Sequence, residues 1–155
     1  MRPLIVTAAF LLATTGSLLA QDRQAGHPVK PDQIKWMPAP PVLPKGAEAA
    51  VLSGDPTKAG PFTMRLKVPP GYKIPAHSHP TAELITVISG NFHVGMGDKL
   101  DEAKTENLGS GGFVDLPANM NHYAFMSTRT IVQINSEGPF VIKYVNPADD
   151  PSKSQ

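Results

Sequence analysis

Three histidines and one glutamate have the residue types and the spacing of a metal site. His77 and His79 stand two positions apart, Glu83 follows four positions later, and His122 lies further along the chain. Residues two apart on an extended strand point to the same face, so the first two imidazoles should share one side. Glu83 comes after a Pro-Thr-Ala turn, and we expect it to lie on the neighbouring strand and to complete the cluster.

Nitrogen and oxygen ligands of this kind suit a divalent transition metal: Mn, Fe, Ni, Cu or Zn. The chain contains no cysteine, which argues against a purely structural zinc site. A buried histidine alone is more often structural than a ligand, but a buried glutamate without a cation would be a costly uncompensated charge. We therefore predict one metal ion bound by these four side chains. Four ligands on an octahedral ion would leave two positions for water, dioxygen or a bidentate substrate.

Short strands are predicted on both sides of these residues. Segment 62–68 alternates apolar and polar residues, which is typical of a strand with one buried face. The 17 prolines and 13 glycines favour turns and short strands, so we expect an all-β sandwich or small barrel. Further strands are predicted at 47–52, 72–79, 83–89, 92–97, 106–108, 113–116 and 121–126, and a final hairpin joins 130–135 to 139–145.

The beginning of the chain has the pattern of an export signal. Residues 4–13 are almost entirely apolar, small and apolar residues continue to Ala20, and a polar stretch follows. We predict a signal peptide at 1–20, cleaved after Ala20, and a periplasmic or secreted protein. The alternative is a membrane anchor, for which this stretch is of marginal length and includes polar residues.

The remaining residues divide into three segments and indicate the kind of partner. We expect a leader and proline-rich arm at 21–46, a β-barrel at 47–146 and a flexible tail at 147–155. Segment 83–89 is apolar on both faces, which predicts a second cover, either another sheet layer or the second subunit of a homodimer. The chain has 14 basic and 13 acidic side chains without a basic block. This balance argues against nucleic acid or an anionic membrane as partner and leaves a small molecule.

Two sequence motifs resemble those of the cupin superfamily. The first motif consists of a glycine, five residues, His-x-His, three residues, a glutamate, six residues and a second glycine. The second motif has a glycine, then a proline and then a histidine along the chain. The resemblance covers about residues 62–144, and the short spacing between the two motifs is similar to that of compact single-domain cupins. It implies an antiparallel jelly-roll β-barrel with one divalent metal on the three histidines and the glutamate. The matching residues are Gly71, His77, His79, Glu83 and Gly90 in the first motif, and Gly111, Pro117 and His122 in the second.

Two positions depart from the cupin pattern. Asn119 replaces a glycine, and asparagine tolerates the left-handed backbone better than other side chains, so the turn should persist. Met126 replaces an asparagine and is expected to face inward near the site, making the pocket more apolar. The residues expected to line this pocket are Met64, Leu66, Ile85, Val87, Ala124 and Met126.

Two classes of function remain open from the sequence. One is a metal-dependent enzyme acting on a small organic molecule, as a dioxygenase, decarboxylase or isomerase. The other is a non-catalytic, metal-dependent protein that binds a small ligand in the cell envelope. No second acid or base stands beside the ligands, so catalytic residues are not assigned. The complete ligand set argues against a purely structural role.

Overall fold

The computed structural model describes residue 26 and residues 28–153, which form short strands and 3-10 turns. The predicted signal peptide lies outside the described residues. Among the described residues, no helix has the length and apolar character needed to cross a membrane. The strands are β1 (Met37–Pro38), β2 (Glu48–Ser53), β3 (Gly60–Val68), β4 (Tyr72–Ser78), β5 (Glu83–Ser89), β6 (Phe92–Met96), β7 (Glu106–Leu108), β8 (Phe113–Leu116), β9 (His122–Met126), β10 (Thr130–Gly138) and β11 (Lys143–Tyr144). The 3-10 turns are Pro31–Gln33, Glu102–Lys104, Pro147–Asp149 and Pro151–Lys153.

The strands form two antiparallel sheets that enclose the core. The six-stranded sheet has the order β1-β2-β3-β10-β5-β8, and the five-stranded sheet has the order β11-β4-β9-β6-β7. This arrangement confirms the predicted all-β jelly roll. Within the described residues the two sheets are not joined into a closed barrel. The fold is therefore a β-sandwich, and side chains from both sheets form one hydrophobic core between them.

Alternation along β3 determines which side of the six-stranded sheet faces the core. Phe62, Met64, Leu66 and Val68 are buried, whereas the residues between them are half-buried on the other side. Each such apolar side chain contributes roughly 1.5–3 kcal/mol on burial. β3 pairs with β10 over all nine residues of that strand, so these two strands form the centre of the sheet.

The expectation that Glu83 lies on a strand next to the histidine strand is wrong. β4 pairs with β9 and β11, whereas β5 pairs with β10 and β8 in the opposite sheet. The turn after β4 therefore crosses from one sheet to the other instead of forming a hairpin. Period-two alternation predicts which face of a strand is buried, but it does not say which strand pairs with it.

The predicted final hairpin is also wrong. β10 runs straight to Gly138, and β11 pairs with β4 in the other sheet. Pro139 has no backbone N–H and cannot continue the ladder, so the chain leaves the six-stranded sheet at this point. The segment between β10 and β11 then passes over the site described below.

The proline-rich arm packs on its own chain. β1 pairs with the beginning of β2. The Tyr72 hydroxyl donates a hydrogen bond of 2.6 Å to the Pro44 carbonyl, and the Tyr144 hydroxyl donates one of 2.7 Å to the Val42 carbonyl. Burial raises the pKa of Tyr72 well above its usual value and that of Tyr144 to about 12, so both hydroxyls keep the proton that they donate. The arm therefore forms one edge of the sandwich.

The two faces of β5 have different surroundings. Glu83, Ile85 and Val87 are buried against the opposite sheet. On the outer face, Leu84 is half-buried and Ile88 is 36% exposed. In the described residues the outer face has no further sheet layer over it, so the predicted second subunit stays a prediction.

Candidate metal centre

Both sheets contribute to the predicted cluster. His77 on β4 and His122 on β9 are direct partners across a strand pair of the five-stranded sheet. His79 follows the last residue of β4, and Glu83 is the first residue of β5 in the six-stranded sheet. All four side chains are buried. The structure thus brings the four predicted residues together between the sheets.

Two of the three histidines lie close to one carboxylate oxygen of Glu83. Glu83 Oε2 lies 3.5 Å from His79 Nε2 and 3.4 Å from His122 Nε2. One ring nitrogen from each of His77, His79 and His122 lies within 4.8 Å of the others. These separations leave room for one ion among the three nitrogens and the carboxylate.

Backbone carbonyls fix the orientation and the tautomer of each ring. Nδ1 of His77 lies 2.8 Å from the Pro75 carbonyl oxygen. Nδ1 of His79 lies 2.8 Å from that of Val141, and Nδ1 of His122 lies 2.9 Å from that of Met120. A carbonyl oxygen can only accept, so each Nδ1 donates its proton and each Nε2 is left with a lone pair. Metal-bound histidines are usually held in this way, and the residues therefore fit a metal ion.

The electrostatics of the cluster also favour a cation. Burial, together with the other two imidazoles, lowers the pKa of His77 to about 3, and burial lowers that of His79. Burial alone would raise the pKa of Glu83, but its contact with His122 and the other imidazoles hold it below the usual value. An ionised carboxylate thus lies buried beside the imidazole nitrogens. Such a charge is costly without a partner, and a divalent cation would supply one.

Sequence comparison determines the family. A family model of the ChrR cupin-like domain matches residues 24–140. The chain belongs to the ChrR cupin-like family. Two germin-like proteins of Oryza sativa subsp. japonica also resemble this cupin. Germin-like protein 3-7 is 26% identical over 143 residues, which are 89% of this chain and 54% of that protein. A candidate germin-like protein 9-2 is 36% identical over 63 residues, 40% of this chain and 29% of that one. The cupin thus spans about half of the first relative and less than a third of the second.

Solved structures share the fold at low sequence identity. The polyketide cyclase RemF of Streptomyces resistomycificus superposes with a TM-score of 0.68 at 17% identity, over 83% of this chain and 91% of that one. A candidate acetylacetone dioxygenase of Methylibium petroleiphilum PM1 gives 0.64 at 21% identity, over 84% and 88%. An RmlC-like cupin of Shewanella frigidimarina gives 0.56 at 18% identity, over 74% and 92%. At these identities the likeness establishes the fold alone.

A cavity of about 600 Å³ reaches the cluster of the cupin. Of the residues predicted to line the pocket, Met64, Leu66, Ile85 and Ala124 do so. Val87 and Met126 lie in the core and do not line this cavity. Met126 faces the same way as His122, but four residues of strand separate them by about 13 Å, and Ala124 lies between.

The segment between β10 and β11 holds His79, and sequence reasoning did not assign it to the site. The ring of Phe140 stacks on that of His79, with centroids 4.3 Å apart and planes 9° from parallel. The next carbonyl, that of Val141, accepts the Nδ1 hydrogen bond. These residues lie about 60 positions from His79. No local pattern could have indicated the contact.

The arm is the second part of the site that sequence reasoning missed. Met37, Pro38, Val42 and Leu43 line the cavity, and Lys35 lies at its exposed mouth. The proline run predicts an extended arm, but it does not indicate what the arm covers. The pairing of β1 with β2 holds the arm at the edge of the sheet, where its side chains can line the cavity.

Two further ring-bearing side chains, Tyr123 and His93, lie outside the cluster. Tyr123 points to the opposite face from His122, is buried, and its hydroxyl donates to the Asp101 carbonyl at 3.3 Å. His93 is half-buried and its ring stacks on Phe125 with centroids 4.1 Å apart. Neither lines the cavity.

The turn before β9 confirms the prediction for Asn119. Its φ is 63°, and it is the only residue other than glycine with a positive φ in the described part of the chain. Its backbone N–H donates a hydrogen bond of 2.7 Å to the His79 carbonyl. The turn of the second motif is thereby hydrogen-bonded directly to His79, a predicted ligand in the first motif.

Proposed function

We propose that this cupin is an exported enzyme that acts on a small organic molecule at a divalent transition metal held by His77, His79, Glu83 and His122. One observation carries the proposal. Three buried imidazoles, each with its Nδ1 proton on a backbone carbonyl, hold one ring nitrogen each within 4.8 Å of the others, and the Nε2 atoms of His79 and His122 lie beside the buried Glu83 carboxylate. The reaction class is that of a dioxygenase, decarboxylase or isomerase. Similar folds occur in a polyketide cyclase and a candidate acetylacetone dioxygenase, which supports a small organic substrate.

The chain's own residues would prepare the site for such a reaction. When bound, the ion would act as a Lewis acid toward oxygen atoms of the substrate. The three hydrogen bonds from Nδ1 to backbone carbonyls hold the imidazole rings in one orientation. The rings would therefore need to move little when the ion binds. Glu83 is buried behind apolar cavity walls, and this low-dielectric surrounding would strengthen its electrostatic interactions.

A specific observation favours the second candidate, a metal-dependent protein that binds a small ligand without turnover. Among the described cavity-lining residues, Lys35 is the only ionisable side chain besides the four proposed ligands, and it lies exposed at the mouth. Tyr144 is near His77, with ring centroids 5.9 Å apart, but its hydroxyl proton is donated to the Val42 carbonyl. Reactions that need a separate proton donor or acceptor therefore find no obvious one beside the cluster.

Turnover distinguishes the two candidates. The metal-loaded protein is mixed with panels of enolisable and carboxylate compounds, and dioxygen uptake and carbon dioxide release are measured. The enzyme proposal predicts turnover with at least one compound, abolished in His77→Ala/His122→Ala and retained in His93→Ala, a histidine outside the cluster. Tight, metal-dependent retention of a compound without turnover in any panel would overturn the enzyme proposal in favour of the binding protein.

Export and assembly complete the proposal. The basic, apolar and small-residue order of residues 1–20 supports a cleaved signal peptide and a periplasmic or secreted location. Amino-terminal sequencing of exported protein would begin at Gln21, and a retained Met1 would contradict cleavage. The outer apolar residues of β5 support a homodimer.

A further inference from the structure

An unbroken row of apolar side chains crosses the inner face of the six-stranded sheet. Strand register places Val51 of β2 beside Met64 of β3 and Met64 beside Ile134 of β10. Ile134 in turn pairs with Ile85 of β5. Ile85 is two residues from Glu83 on the same face of β5. The row therefore leads across four strands to the strand that carries the proposed metal ligand.

Exposure falls along this row. Val51 is 51% exposed, Met64 is 7% exposed, and Ile134 and Ile85 are 5% and 4% exposed. All four line the cavity. Adjacent strands lie about 4.8 Å apart, so three spacings give a path of about 14 Å from rim to interior. Val51 and the arm residue Met37, which is 66% exposed, are both apolar lining residues of this cavity, and a ligand that reaches them would bury their exposed surface.

The wall opposite this row is also apolar. Ile74, Phe92 and Ala124 line the cavity from the five-stranded sheet, and Phe140 and Ile142 line it from the segment after β10. In the described lining, polar side chains are confined to the cluster at one end and to Lys35 and Thr57. A ligand with polar groups along its length would bury them against these walls without hydrogen bonds, which is costly.

We infer that this site takes a mainly apolar compound whose oxygen-bearing, metal-chelating group is at one end. The chelating group binds at the cluster, and the apolar body lies along the row from Ile85 to Val51. This inference rests on the proposed metal centre and adds the class of molecule. The exposed lining residues Val51 and Met37 then form the rim that sets the length of chain that the site accepts.

A series of alkyl hydroxamates tests the inference by binding alone. Each member carries the same bidentate oxygen group, and the chain grows from acetyl through butyryl, hexanoyl and octanoyl to decanoyl. Affinity for the Zn(II)-loaded protein is measured by calorimetry. Each buried CH₂ contributes about 0.8 kcal/mol, so the dissociation constant should fall about fourfold per methylene while the chain remains inside. The 6-hydroxyhexanoyl member should bind more weakly than the hexanoyl member.

Two matched substitutions locate the path. Val51→Asp places a carboxylate at the rim and should weaken decanohydroxamate about tenfold, while acetohydroxamate stays unchanged. Val29→Asp is the control, because Val29 is also 51% exposed and does not line the cavity. It should leave both probes unchanged.

The outcomes separate the inference from the proposal on which it rests. If the protein binds neither zinc nor acetohydroxamate, the metal centre itself is wrong. If acetohydroxamate binds but longer chains give no gain, the metal centre stands and the inference of an apolar ligand is overturned. A gain with chain length that Val51→Asp leaves intact would overturn the path along the row.

Discussion

At the scale of single residues, backbone carbonyls hold the three imidazole rings of the cluster in place. Two of the rings use a carbonyl nearby in sequence: Nδ1 of His77 and Nδ1 of His122 each donate a hydrogen bond to the backbone carbonyl two positions earlier. The third, His79, depends on the distant Val141 carbonyl. Two of the rings are therefore oriented by residues adjacent in sequence, whereas the third requires the segment after β10 to lie over it.

The buried imidazoles give the metal-free protein a defined pH dependence. The folded-state pKa of His77, about 3, is below its ordinary value of 6.5, so the unfolded chain binds more protons between these values. The contribution of His77 to the free energy of unfolding should therefore be at its maximum above about pH 6.5 and should fall as the pH drops toward 3. The lowered pKa of Glu83 acts in the same direction below its ordinary 4.5.

Denaturant unfolding of the chelator-treated protein at several pH values measures this effect. The His77→Gln variant should lose part of the dependence between pH 6.5 and 4, while His93→Gln serves as the control for an imidazole outside the cluster. A parent protein whose unfolding free energy is the same at pH 7 and pH 4 would contradict the account.

At the scale of elements, the pairing of β6 with β9 supports the strand that carries His122. Gly95 on β6 is the strand partner of Tyr123 on β9, the residue next to His122. The Tyr123 ring lies over Gly95 so closely that a Cβ there would come within 2.4 Å of ring carbons. The missing side chain of Gly95 therefore lets Tyr123 pack flat and keeps β9 in place.

Gly95→Ala should accordingly destabilise the protein, because the ring or the strand must shift to accept the methyl group. Overpacking of this kind costs about 1–3 kcal/mol of unfolding free energy. Gly109→Ala is the matched control, since a Cβ there has no atom within 4 Å. Thermal and denaturant unfolding provide the measurement, and equal stability of the two variants would show that Tyr123 is not held as described.

At the scale of the whole molecule, the sequence predicted the two-sheet fold and the cluster, but not the connections between the sheets. The spacing of His77, His79 and Glu83 predicted that these side chains lie close together, whereas the sheet that Glu83 comes from depends on long-range pairing. Met126 shows the same limit, because facing inward does not determine how far along the strand a side chain lies from the cluster. The stacking of Phe140 on His79 and the arm's place in the cavity have no local sequence signal.

The outer face of the six-stranded sheet supports the proposed homodimer. Phe113 is 55% exposed on β8 and lies beside β5, whose Ile88 is 36% exposed. We expect a mass twice that of the chain by light scattering at micromolar concentration. Ile88→Asp should shift it toward the monomer, whereas Val145→Asp, at a residue 38% exposed and outside the sheet, should not. A parent protein of monomeric mass would contradict the dimer.

The most direct test of the central claim is the metal content of the purified protein, measured by mass spectrometry. The parent protein and His93→Ala should each contain one divalent transition metal ion per chain, and His77→Ala/His122→Ala should contain none while its circular dichroism remains that of a β protein. A parent protein that holds no metal, and takes up none on titration with Mn, Fe, Ni, Cu and Zn, would contradict the metal centre and leave a metal-free binding cavity.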